Sequence, residues 1–321
     1  MNFETATTNV GLSKSAELHL NGRARILVTV TLPFCGLIAA IVVAWGKGIG
    51  ATELALMLAM YLITALGVSL GLHRLFAHRS YKATRATKVC LAIAGSMAMQ
   101  GPLFEWVTFH RLHHQRADRE GDPHSPHLYG VGLWNLIQGA WHAHVGWLFH
   151  SNPAVPSGMV DDLRADRSLA TVNRFYYLWI GLGLLIPALV GWFIHKTLSG
   201  FLLGLLWGGL VRTFLLHHVT WSINSACHIW GSRPYKNGDM STNNFLFGFI
   251  AVGEGWHNNH HAFPYSARHG LTWWQFDLPY LLLRFLEPTG FVSDLRVPSI
   301  AAQRSKTLDT REPLERGEPG E

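Results

Sequence analysis

Residues 26–45 read ILVTVTLPFCGLIAAIVVAW, twenty positions without a charged side chain. At 1.5 Å per helical residue such a run covers a hydrocarbon core of ~30 Å. Three further stretches, 54–72, 175–194 and 201–219, have the same character, broken only by Arg212 in the last. Pro33 and Pro187 fall inside two of these runs, where a membrane tolerates the kinks they cause. The reading is therefore an all-α membrane protein with four transmembrane helices. Composition agrees, because only 14% of the 321 residues are Asp, Glu, Lys or Arg, against roughly 25% in an average soluble chain. A hydrophobic share of 49% excludes a disordered chain. Cys35, Cys90 and Cys227, scattered and odd in number, exclude a disulfide framework and a CxxC zinc knuckle.

Charge sets the sidedness. Of the 26 Lys and Arg, only Lys47 and Lys196 lie in the short connections joining spans one to two and three to four. The positive-inside rule then puts the N-terminal, central and C-terminal segments in the cytoplasm, with a bacterial inner membrane the expected location. The net charge of +6 comes without a Lys/Arg-rich block, so no nucleic-acid partner is expected. Residues 1–24 read as a polar N-terminal segment, 25–290 as the membrane domain and 291–321, charged and Pro/Gly-punctuated, as a flexible tail. Two weaker apolar pieces do not read as spans. Residues 89–103 are expected as a helix at or dipping into the membrane surface, and the Trp-rich stretch 131–149 as interfacial.

Nineteen histidines are the oddest feature, and eight fall in three clusters. His73 and His78 sit in GLHRLFAHRSY, just beyond the second span. His110, His113 and His114 form one H-x-x-H-H pattern, and His257, His260 and His261 a second. Positions i, i+3 and i+4 share a helical face, so each triplet aims three imidazoles one way. The five-residue gap from His73 to His78 does not stack on an ideal helix and requires a bend or a helix end. Two spans separate the second cluster from the third, so all three lie on one side of the membrane. One tetrahedral metal takes at most four ligands, so eight imidazoles imply two metals. Imidazole suits iron, copper, zinc and nickel alike. Next to lipid, a two-metal histidine pocket points to oxygen chemistry on a hydrocarbon. Asp122, after the second cluster, is expected to accept from the second nitrogen of a ligating ring, and Glu254, three before His257, to do so from that residue's helical face. His124 and His127 read as surface loop residues, and His142 and His144 either as structural or as partners of the ligating residues. At least one of His217 and His218 reads as a helix-packing residue.

These residues resemble the three histidine boxes of the integral-membrane fatty acid desaturases, in particular the acyl-CoA/acyl-lipid Δ9, stearoyl-CoA desaturase-like branch. HRLFAH (73–78) is similar to the first box, HRLHH (110–114) to the second and HNNHH (257–261) to the third, with coverage from about residue 25 to 290. NSACH (224–228) is similar to a further family element. The resemblance implies His228 as a ninth nitrogen ligand and Asn224 as a ligand through water. It implies a cytosolic helical domain that caps the spans and holds two iron ions, with O2 as co-substrate. Two supplied electrons and O2 then convert two adjacent methylenes of a long-chain acyl group, on coenzyme A or a lipid, into a cis double bond. QGPLFEW (100–106) and TWSIN (220–224) resemble the acyl tunnel, implying Gln100, Trp106, Thr220 and Trp221 as substrate-binding residues. No HPGG haem motif is present, so the electrons are expected from a separate donor, a ferredoxin or cytochrome b5, with its reductase. Two rivals remain at this point, a related di-iron lipid or alkane hydroxylase and a b-type haem electron carrier. The second would leave two H-x-x-H-H triplets unused.

Overall fold

The computed structural model describes residues 15–46, 48–150 and 154–308. Four helices are long and apolar enough to cross a membrane: Ala24–Ala44, Ala51–Ala77, Tyr176–His195 and Leu198–Ile229. The chain is a multi-pass membrane protein, and apolar side chains such as Leu32, Ile38, Leu189 and Phe193 cover the outward faces of its spans. The second helix runs past its expected end at 72 and carries His73, and the fourth continues beyond 219, as expected, to carry His228.

In chain order the helices are α1 (Ser15–Ala44), α2 (Ala51–Leu66), α3 (Arg85–Ser96), α4 (Leu103–Arg116), α5 (Leu133–His144), α6 (Asp161–Arg164), α7 (Arg167–Arg174) and α8 (Tyr176–His195). They continue with α9 (Leu198–Gly204), α10 (Arg212–Asn224), α11 (Ala226–Ile229), α12 (Phe245–Ile250), α13 (His257–Ala262), α14 (Leu278–Leu286) and α15 (Ile300–Lys306). Two wide, π-helical stretches interrupt the spans, Gly67–Ala77 after α2 and Leu205–Val211 between α9 and α10. Strands β1 (Lys82–Ala83) and β2 (Val292–Ser293) pair antiparallel.

Small residues set the closest approaches. A Cβ on Gly67 would run into the backbone of Ala94 and Gly95, and one on Gly71 would stand 2.9 Å from the Leu91 carbonyl oxygen. This G-x-x-x-G face lets α3 lie directly against the π-helical stretch. Gly200 and Gly204 of α9 meet Gly191 and Pro187 of α8 in the same way.

The far end of α3 sits at membrane depth, where Arg212 meets it. Arg212 is fully buried and donates to three carbonyls: Gly208 (3.2 Å), Met97 (3.0 Å) and Gly183 (2.9 Å). Gly183 lies seven residues, about 10 Å, inside the third span. His217 Nε2 donates to the Ala98 carbonyl (2.9 Å). Irregular backbone survives at that depth only where protein groups satisfy it, and these two side chains do so for the turn that follows α3.

Helix α1 begins at Ser15, within the polar N-terminal segment. The flexible tail expected from residue 291 does not describe residues 292–308. There Arg296 N donates to Ser80 O (3.0 Å), Lys306 Nζ to Ala262 O (2.6 Å) and Leu308 N to Pro234 O (2.9 Å). Asp294, Arg296, Pro298, Arg304 and Lys306, part of the pattern that suggested mobility, lie on a strap whose Val292 is buried. Residues 309–321 and 1–14 lie outside the described residues.

Candidate metal centre

The first histidine pair depends on the π-helical stretch. His78 N donates to His73 O (3.1 Å), an i→i+5 bond, and the two rings lie with centroids 4.9 Å apart. A wider turn, rather than a bend, brings residues five apart onto one face. Helix α4 supplies His110, His113 and His114, and α13 supplies His257, His260 and His261. His228 comes from α11 at the end of the fourth span.

These nine rings gather into two adjacent groups. One holds His73, His78, His110, His114 and His260, and the other His113, His228, His257 and His261. In the first, Nε2 atoms face each other at 3.0 Å (His73 and His260), 2.7 Å (His78 and His110) and 2.9 Å (His114 and His260). In the second the separations are 3.0 Å (His228 and His257) and 3.4 Å (His113 and His261). A neutral imidazole has one N–H and one lone pair, so several lone pairs converging on one point cannot satisfy one another. A cation at each centre satisfies them all, and the donor sets fit two imidazole-bound metal ions. Burial first, then the like charge of neighbouring rings, holds His78, His110, His114, His257, His260 and His261 well below the ordinary imidazole value. They stay neutral, the form a metal binds.

Carboxylates back the second nitrogens. Asp122 accepts from His113 Nδ1 at 3.0 Å. Burial works to raise this carboxyl, but His113 outweighs it and holds Asp122 at about 2. Asp118 accepts from His228 Nδ1 (2.8 Å), and Asp239 from His261 Nδ1 (2.7 Å). Sequence reasoning singled out neither. Glu254 does not share a helical face with His257, because Val252 and Gly253 adopt positive φ and α13 starts only at His257. It reaches His73 Nδ1 instead, at 2.5 Å, and also meets Arg74 (3.1 Å) and Ser69. Burial opposes its ionisation, yet His73, His269 and Arg74 hold it well below the usual carboxylate range.

Other histidines are placed unexpectedly. His269, absent from any motif, is buried 4.5 Å from the His260 ring, and its Nδ1 lies 3.6 Å from Glu254. His124, expected on the surface, is buried against His113 with ring centroids 4.5 Å apart. His127 Nε2 donates to the His228 carbonyl (2.7 Å). His144 Nε2 and His218 Nδ1 pair at 2.9 Å, away from both groups.

A cavity opens beside both groups, with His73, His110, His113 and His257 along one side. Apolar Ala65, Val68, Leu216 and Ile223 line the rest of it, with Trp106, Thr220 and Asn224 as fixed polar points. Gln100 ties two of these together, its Nε2 donating to Thr220 Oγ1 (2.9 Å) and its Oε1 accepting from Trp106 Nε1 (3.3 Å). Trp221 is not among the residues lining the cavity. One residue on from Thr220 it lies some 100° round the helix, packed against His217, His218 and His144.

The family profile described as Fatty acid desaturase matches residues 51–287, a range that contains every histidine of both groups. The chain belongs to the fatty acid desaturase family. Curated relatives of this desaturase include the hex-5-enoyl-[acyl-carrier protein] acetylenase of Moorena producens (strain JHB), 43% identical over 86% of this chain and 87% of that one. The sn-1 stearoyl-lipid 9-desaturase of Anabaena variabilis is 37% identical over 75% of this chain and 82% of its own length. The Delta-9 acyl-lipid desaturase 1 of Arabidopsis thaliana is 37% identical over 78% and 77%.

Proposed function

We propose that this desaturase holds two iron ions in its paired imidazole groups and inserts a cis double bond, at the Δ9 position, into a long-chain acyl group. The observation that carries the reading is the cavity, which has an apolar wall of Ala65, Val68, Leu216, Val219 and Ile223 and is bordered by both groups. The overall reaction balances as two adjacent acyl methylenes, O2, two electrons and two protons giving a cis alkene and two waters. Iron bound there supplies the activation of O2 that removal of hydrogen from an unactivated methylene requires. The nine histidines would hold the metals, and Asn224, which with His257 lines the cavity, would reach a metal through water. Asp118, Asp122, Asp239 and Glu254 keep the Nδ1 protons in place so that Nε2 faces inward. Gln100, Thr220 and Trp106 form the polar rung that fixes where the chain bends. The histidine side faces the cytoplasm, where a separate ferredoxin or cytochrome b5 with its reductase delivers the electrons.

Expression in a host lacking unsaturated lipids, followed by mass spectrometry of intact lipids, tests this. New monounsaturated chains with one fixed double-bond position are expected. Hydroxylated chains without new unsaturation would establish the hydroxylase instead. The acetylenase among the relatives favours a second reading, in which an existing alkene is the substrate. Supplying a monoenoic acyl chain and finding an alkyne would establish it.

A further inference from the structure

The apolar run FLFGFIAVG, residues 245–253, stands before the third histidine cluster, and the metal centre makes no use of its outer face. Helix α12 begins this run, with Phe245, Leu246, Phe249 and Ile250 exposed. Its inner side, with Phe247, packs beside Ala251 on Val219 and Ile223 of α10. The depth of this helix follows from one hydrogen bond, in which the Tyr61 hydroxyl donates to the Ile250 carbonyl (2.6 Å). Tyr61 lies ten residues along the second span from Ala51, about 15 Å. That is half of a ~30 Å hydrocarbon core, so the end of α12 lies far below the aqueous surface. Its backbone is paired as that depth demands. The Asn244 side chain accepts from Phe247 N (3.3 Å), Ala251 N donates to Phe247 O (3.0 Å) and Tyr61 takes Ile250 O.

Tyr61 and Ala65 line one wall of the cavity, and Ala251 and Val252 another. The Tyr61–Ile250 bond therefore closes the seam between α2 and the α12 segment. On its inner side is the cavity, and on its outer side are the exposed apolar faces of α12 and of Leu58 and Leu62.

We infer that α12 is inserted in the bilayer and that the seam latched by Tyr61 is a lateral door, through which an acyl chain of a membrane glycerolipid enters the cavity directly from the lipid. The assignment of the cavity as the acyl site rests on the proposed function; the entry route does not. A glycerolipid chain already lies at the depth of the door, whereas a chain on a water-soluble carrier must enter from the histidine side.

The test uses iron-replete protein in phosphatidylcholine liposomes, with a mid-chain diazirine carried either on phosphatidylcholine or on coenzyme A. Photolysis and peptide mass spectrometry are expected to find the lipid probe on the outer face of α12 and on the cavity wall at Ala65 and Val252. Ala65→Trp, which fills the cavity, should abolish the wall label and leave that on α12. Tyr61→Phe keeps the ring, removes the latch and should raise wall labelling roughly fivefold, the weight of one ordinary hydrogen bond. Lipid probe on Leu62 but not on α12, or wall labelling by the coenzyme A probe alone, would overturn the inference. Product analysis of the same liposomes, supplied with O2, NADPH, a ferredoxin and its reductase, separates the two ideas, since a labelled wall without any new double bond would sink the desaturase reading and leave the door standing.

Discussion

An imidazole that presents the Nε2 lone pair must keep its proton on Nδ1, and a buried Nδ1–H needs an acceptor. Three of the four rings in the second group meet a carboxylate there, Asp122, Asp118 or Asp239. Burial works to raise the Asp118 carboxyl, but the bond to His228, with Ser125 and Met240 N, holds it well below the usual range. Replacing Asp118 or Asp239 by Asn keeps the shape and loses the charge. Each variant should fold as the parent does and bind metal about 10–100-fold more weakly, measured by competition with a chelator. The histidines themselves were legible, because H-x-x-H-H fixes three rings on one face whatever the rest of the chain does. Asp118 and Asp239 were not, since they lie 110 and 22 residues from the rings they support and carry no pattern of their own.

Elements meet the metal centre through small side chains and shared histidines. The π-helical stretch must be wide to align His73 with His78, and α3 must come close to support it. Gly71→Leu would force a side chain into the Leu91 carbonyl, so thermal unfolding in detergent should show a loss of about 1–3 kcal/mol. Gly71→Ala should lose less. Helix α5 docks on the fourth span through His144, whose Nδ1 lies 3.1 Å from Ser225 Oγ and whose Nε2 meets His218. Burial, then His218, pulls the His144 imidazole down to about 4. The undocked ring binds a proton near pH 6.5 that the docked ring refuses until about pH 4, so docking weakens as pH falls through that window. Hydrogen exchange of residues 133–144, corrected for intrinsic rates, should quicken below pH 6.5 in the parent chain. His144→Gln should flatten that dependence. The spans could be read from composition, but α12 could not. Six residues are too few for a span, and only the Tyr61 bond reveals their depth.

For the whole molecule the decisive cation is Arg212, which joins the turn after α3, the third span and the fourth without a carboxylate partner among the described residues. Arg212→Met leaves two carbonyls at membrane depth without a donor, Met97 in the turn after α3 and Gly183, whose helical donor position is occupied by Pro187, each costing about 1–3 kcal/mol. The yield of folded protein and the Tm in detergent should fall sharply, and Arg212→Lys should recover part of both. The amino-acid sequence alone determined the four spans and the grouping of eight histidines, since both follow from local spacing against fixed helical geometry and a fixed bilayer thickness. Tertiary structure decided which ring joins which metal group, which carboxylate supports it and that Trp221 turns away from the cavity. It also turned residues 292–308 of the expected tail into a strap over α13 and put an apolar segment in the path from lipid to cavity. Each of these depends on backbone angles and long-range contacts, such as the positive φ at Val252 and Gly253 that breaks the helical phase of Glu254, and no local spacing encodes them.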